Sequence, residues 1–245
     1  DGQPRPPGMV GGAAEGADPE GGFDAEAAGE STLALNKWSV SLEQGKPVTL
    51  CGPNPDVPCT TLSASYAGTQ DLTVRVGIAA AFENGSELEA SSAESSYVVS
   101  LIKWDVSALS RGRLPPGFKL ASARVSLKIN STSPTDFPVV PVANVWSEDQ
   151  PRWNPRANLQ ASSDPIGLLV PRNVGRKGSL QPVVSFDLEL AQFEPLFRVW
   201  LADSTKNQGL WIGIAGNPVE PVQRTSWQSS EAASPPRLTL TFTTP

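Results

Sequence analysis

The cleanest alternation of apolar and polar positions runs through Val184, Phe186, Leu188 and Leu190, and again through Leu238, Leu240 and Phe242. A period of two puts every second side chain on one face, which is the pattern of a half-buried strand. Looser runs of the same kind cover Leu72–Ile78, Val98–Trp104, Ala123–Ile129, Val139–Val145 and Leu210–Ile214. Nearer the start, Leu33 and Leu35 are followed by Trp38, Val40 and Leu42 across a one-residue shift of phase. That shift predicts a strand with a bulge or break. Pro, Gly, Asn and Ser cluster between the runs, as short-strand architectures require. One segment departs from the period: Phe193, Leu196, Phe197 and Trp200 follow helical spacing, with Pro195 among them, and predict a short helix. Many short strands and one helix predict an all-β fold, an antiparallel β-sandwich or jelly roll. No internal repeat is visible, which argues against solenoids and propellers.

Ahead of this pattern lies a different kind of chain. Residues 1–30 are mostly Gly, Ala, Pro and acid, and Met9, Val10 and Phe23 are their only larger apolar side chains. Such a segment cannot bury enough surface to offset the cost of ordering it. The expected organisation is an acidic arm over residues 1–32 and a single β domain over residues 33–245. Charge divides at the same place. The formal net charge is −6, and residues 1–30 carry seven acids against Arg5 alone. The remaining residues balance at 18 acids and 18 bases. A neutral body with an acidic arm argues against nucleic acid, which needs a clustered basic face. No apolar run approaches the ~18–20 residues that span a bilayer, so no transmembrane segment is expected. With no histidine in 245 residues, Ser-His-Asp and Cys-His chemistry and imidazole metal ligation are excluded.

Cys51 and Cys59 bracket the loop Cys-Gly-Pro-Asn-Pro-Asp-Val-Pro-Cys and are the only thiols. A zinc site would need two further Cys or His ligands that do not exist. A disulfide closing this tight loop is therefore expected, and with it an oxidising compartment. The sequence begins with Asp and has its only Met at position 9. Removal of a signal peptide and an extracellular or cell-surface location are expected. Acceptor patterns for glycosylation at Asn84 and Asn130 are near chance in so Ser/Thr-rich a chain.

Four segments in order carry a family resemblance. The first is Leu101–Leu109, Leu-Ile-Lys-Trp-Asp-Val-Ser-Ala-Leu, followed by Pro115–Leu127. The second is Val145–Asn154, Val-Trp-Ser-Glu-Asp-Gln-Pro-Arg-Trp-Asn. The third is Val184–Leu188 with the helix ending at Trp200 and then Asn207–Ile214. The fourth is Ser226–Glu231 leading into Pro235–Phe242. Together they resemble the DNRLRE family of secreted jelly-roll domains over about residues 70–243. Arg152 stands at the usual threonine position, and Pro236-Arg237 reverses the usual Arg-Pro order. The resemblance implies a non-catalytic β-jelly roll of the kind found on bacterial surface proteins, some of whose relatives bind carbohydrate.

Two functions are weighed from the residues. The first is a secreted, non-enzymatic structural subunit that assembles with copies of itself into a filament or surface layer. In it the arm and following strand, with Phe23, Leu33, Leu35, Trp38, Val40 and Leu42, dock on a neighbouring subunit's sheet edge. The second is a carbohydrate-binding or adhesion module for a polysaccharide. Of the seven tryptophans, Trp104, Trp200 and Trp211 fall in phase with buried positions, and Trp146 and Trp153 lie in a family signature. Trp227 has polar neighbours in Arg224-Thr-Ser-Trp-Gln-Ser-Ser and is the expected glycan platform, with Arg224 beside it. An enzyme is disfavoured, because Asp105 and Asp187 follow strands and suit turns better than paired acid–base work, and Glu148 suits holding the Trp146 loop. No cofactor is expected; calcium is open, but no spacing specifies a site.

Overall fold

A computed structural model describes residues 36–76, 81–83, 85–92, 97–110, 112–131, 133, 135–148, 164–171, 183–213 and 223–244. The chain divides at Ala34 and Leu35, and all described residues belong to the second unit. The fold is the expected all-β antiparallel sandwich with one short helix. The expected arm, with Phe23, Leu33, Leu35 and the predicted phase shift, lies outside the described residues.

One sheet is built from β1 (Asn36–Glu43), β2 (Val48–Cys51), β3 (Thr60–Ser63), β8 (Lys119–Ser131), β11 (Val183–Asp187) and β14 (Arg237–Thr244). Its order is β11-β8-β14-β1-β2-β3. The facing sheet holds β4 (Thr69–Val76), β5 (Ala81–Glu83), β6 (Glu87–Ser92), β7 (Tyr97–Trp104), β9 (Phe137–Pro141), β10 (Gly167–Leu169), β12 (Leu210–Ile212) and β13 (Gln223–Gln228). The long β8 joins the two. Its first part pairs with β14 and β11, and Ile129 and Ser131 pair with β13.

The period of two explains the core. Val40 and Leu42, Val125 and Leu127, and Leu238, Leu240 and Phe242 point from one sheet into the gap. Leu88, Ile102, Trp104, Phe137, Leu210 and Trp227 meet them from the other. Each fully buried large side chain contributes roughly 1.5–3 kcal/mol relative to exposure. Helix α1 (Leu190–Ala202) closes one end by turning Phe193, Phe197 and Trp200 inward. Phe193 meets Trp200 edge-on at 5.6 Å between centroids, and Phe197 lies 6.0 Å from Phe242. Pro195 sits inside the helix on an exposed position.

The facing sheet is apolar on its outer side as well. Leu72, Val74, Val99, Leu101, Val140, Val142, Trp146 and Trp211 form a second buried cluster. That is why β7 reads as a nearly continuous apolar run rather than an alternation.

Cys51 and Cys59 form the expected disulfide. The loop it closes is mostly exposed, so the bond acts chiefly on the unfolded chain. Replacing both cysteines by serine is expected to lower unfolding stability by about 2–3 kcal/mol in the chain-entropy model. A urea titration checks it: the midpoint falls while the near-UV signature of the packed core stays.

Candidate functional site

Strand β1, expected to dock on another subunit, is taken up within its own chain. It pairs with β14 from Asn36 to Glu43 and with β2 at Ser39 and Val40. Val40 and Leu42 are buried in the chain's own core, and the half-buried Trp38 packs against that core with its ring over Gly52. Within the chain, Trp38, Val40 and Leu42 therefore serve β1's own sheet and core rather than standing free for a neighbour. Of the assembly residues, Phe23, Leu33 and Leu35 lie outside the described set.

Trp227 is corrected. It is 0% exposed in the core, so no sugar can stack on it. Its polar neighbours misled because they are themselves buried and paired. Thr225 Oγ1 lies 2.9 Å from Ser133 Oγ, and Ser226 Oγ lies 2.8 Å from Ser131 Oγ. Arg224 is engaged as well: its guanidinium meets the Glu89 carboxylate at 2.8 Å, and Arg75 reaches the same oxygen at 3.1 Å. Glu89 is nearly buried, so the two arginines supply the opposite charge that burial demands.

Several buried side-chain oxygens gather elsewhere. Among the described residues, buried side-chain oxygens without a regular hydrogen bond belong to Tyr66, Thr69, Gln70 and Asp71, one short stretch of chain. Native proteins satisfy nearly all buried polar groups, and here the Tyr66 hydroxyl and the Thr69 hydroxyl lie within reach of one another. The stretch enters β4 along a groove made of two adjoining cavities of about 380 and 320 Å³, which share Ala67, Gly68 and Asp105.

The walls of this groove are held by backbone. Tyr66 is fixed to the β1–β2 turn by its amide on Lys46 O at 2.9 Å and by its carbonyl under the Gly45 amide at 2.8 Å. The Asp105 amide donates to Gly68 O at 2.8 Å. Gly68 permits that approach: a Cβ there would lie 2.6 Å from the Asp105 Cβ and 3.0 Å from the Tyr66 ring. Asp105 then starts a 3-10 turn at Ser107–Leu109, its Oδ1 accepting from the Ser107 amide and its Oδ2 from the Ser107 hydroxyl, both at 2.8 Å. The turn role expected for Asp105 is its role here.

Cations and amides complete the lining. Arg113 is exposed and donates to Leu62 O at 2.5 Å. Lys103 donates to Trp146 O at 2.9 Å and lies 4.5 Å from the centre of the Trp146 ring. Burial pulls the Lys103 ammonium below the usual lysine range, and the Glu148 charge partly restores it. Asn207 is braced between Trp104 O and the Gly209 amide. Burial, reinforced by the Asp105 charge, pushes the Tyr66 phenol far above its ordinary value, so it remains a neutral hydroxyl.

No known family model and no curated protein matches the chain. The DNRLRE resemblance rests on its four motifs alone. Of those motifs, the second lies mostly outside the described residues; Trp146 is buried and Trp153 falls outside.

Sequence reading missed Tyr66, Gln70 and Arg113 as site residues. The signal for Tyr66 and Gln70 was faint: the stretch from 60 to 71 lacks strong apolar alternation and reads as a linker. Trp104, Trp200 and Trp211 are in the core as expected. Asp187 does not join Asp105; it holds Arg124 through two hydrogen bonds of 2.8 and 2.9 Å. The Arg124 hydrogen bond holds its carboxyl below the usual range.

Proposed function

We propose that this is a secreted, non-catalytic β-sandwich that binds a polysaccharide in the groove between Tyr66–Gln70 and Lys103–Arg113. The observation that carries the reading is the pair of adjoining cavities on which Tyr66, Gln70, Lys103, Asp105, Arg113 and Asn207 converge. A polyhydroxylated ligand both donates and accepts, and the lining offers the matching mixture of serine, amide, carboxylate and cationic groups. Asp105 is the only carboxylate among the described lining residues, and both its oxygens hold a turn. A paired acid–base mechanism therefore has no second carboxylate in the groove on which to work. The disulfide fits a secreted protein, and no helix among the described residues is long and apolar enough to cross a membrane.

Affinity electrophoresis of the full chain through neutral and acidic polysaccharides tests this. At least one polymer is expected to retard the protein, and Arg113→Ala should weaken the retardation about 10-fold, the loss of one charge-assisted contact. Arg113 is exposed and its removal leaves the core untouched, so folding is not at stake. Absence of retardation by every polymer, or retardation unchanged in Arg113→Ala and Gln70→Ala alike, overturns the proposal.

A further inference from the structure

Beside the groove, three carboxylates converge from separate parts of the chain. Asp71 comes from β4, Glu148 follows Trp146, and Glu231 lies in the turn after β13. One oxygen of each lies within 4.8 Å of the others. Oxygens bound to a common calcium ion sit on a sphere of radius ~2.4 Å and are separated by no more than its diameter.

A second observation concerns Asp71 alone. The residue is 1% exposed. Its Oδ2 accepts from the Ser230 amide at 2.6 Å, while its Oδ1 is buried and accepts nothing. A buried carboxylate oxygen without a donor costs more than almost any other unmet polar group. With all three groups ionised, as a bound cation would keep them, Glu148 and Glu231 cannot meet it, since a carboxylate has no proton to donate. Glu231 is fixed in place by its serines: Ser229 Oγ donates to its Oε2 at 2.6 Å, and Ser230 Oγ to its Oε1 at 2.7 Å. Lys103 interacts with Glu148, but one ammonium does not balance three carboxylates, and it is already aimed at the Trp146 carbonyl.

We infer that Asp71, Glu148 and Glu231 bind a hard divalent cation, calcium, which joins β4 to the Trp146 segment and to the turn after β13. All donors are oxygens, the choice of calcium and magnesium over zinc or copper. Calcium is favoured over magnesium because three carboxylates from separate parts of the chain suit its larger, irregular oxygen shell, whereas magnesium demands a near-ideal octahedron and keeps most of its waters. This inference does not depend on what occupies the groove.

Terbium luminescence and thermal melting of the full chain, chelated and then titrated at neutral pH, test the site. Trp146, two residues from Glu148, is the antenna for bound terbium. Calcium is expected to displace terbium with a Kd of about 0.1–1 mM, the range of low-affinity calcium modules, and to raise the melting temperature. Asp71→Asn and Glu231→Gln should each weaken binding at least about 10-fold through loss of a charged ligand, while Asp187→Asn on the opposite sheet binds as wild type. Glu231 is exposed, so Glu231→Gln decides the matter even if Asp71→Asn fails to fold. No calcium-dependent change up to about 10 mM, well above that range, overturns the inference, as does wild-type binding by Glu231→Gln.

Discussion

Replacing Trp227 by alanine lowers the unfolding free energy by about 3–5 kcal/mol, the range for deleting a buried aromatic side chain. The residue is fully enclosed between β6 and β8, opposite Leu88 and Ile129. Its neighbours across the sandwich cannot collapse far into the space, because each is part of a paired strand. The loss is a large share of the ~5–15 kcal/mol that a domain of ordinary stability holds. Trp227→Phe should cost much less, since the indole nitrogen makes no hydrogen bond to lose. Guanidinium unfolding of both variants measures the difference. A surface platform would behave in the opposite way: alanine would be nearly neutral for folding, and polysaccharide retardation would vanish. Equal stability of wild type and Trp227→Ala would contradict the buried placement.

The error over Trp227 shows where sequence patterns stop being informative. Alternation identified the strands whose outer faces meet water or a polar neighbour, such as β11 and β14. It also found β4, β7 and helix α1, because each keeps its period over several residues. It could not find β13, where Thr225 and Ser226 are buried yet polar. Their hydroxyls meet partners some 90 residues away in sequence, Ser133 and Ser131. Nor did it find β2, β3, β5, β6 or β10, which run from 3 to 6 residues and offer too few positions to fix a period. The disulfide was legible, since two lone thiols across a proline-rich turn leave one pairing.

The site was hidden for the same reason. Asp71 and Thr73 occupy one face of β4, and Leu72 and Val74 the other, a pattern that reads as solvent outside and core inside. Here both faces are buried. The chain covers the outer apolar face with its own Trp146 segment, and the polar face lies against β6 and the turn after β13. Thr73 is satisfied because its hydroxyl accepts from the Glu89 amide at 3.2 Å. Asp71 is met on one oxygen only. What distinguishes a solvated carboxylate from a buried one is a long-range contact, and no local window contains it.

Stability measured in the presence of a chelator is expected to fall as pH rises from about 5 to 8, and Asp71→Asn should abolish most of that slope. Burial, with the Glu231 and then the Glu148 charge behind it, raises the Asp71 carboxyl to about 8 in the folded protein, against ~3.9 in an unfolded chain. Between those values the folded state keeps a proton that the unfolded state has released. Stability therefore decreases with pH, by at most ~1.4 kcal/mol per unit. Below ~4 both states are protonated and the cost is absent; above ~8 both are ionised and it is complete. Across the window the ceiling is roughly 5 kcal/mol, reduced wherever water reaches the cluster. Carboxyls held low, such as Asp187 beside Arg124, act with the opposite sign, and their effect is confined to more acidic pH. A start at pH 5 separates the two. Asparagine preserves the shape and the acceptor for the Ser230 amide while removing the charge, so Asp71→Asn should be the more stable protein at pH 8 and close to wild type at pH 5. Parallel stability curves for the two proteins would show that Asp71 ionises freely, and that its carboxylate is better solvated than its enclosure by β4, β7 and the Ser230 turn implies.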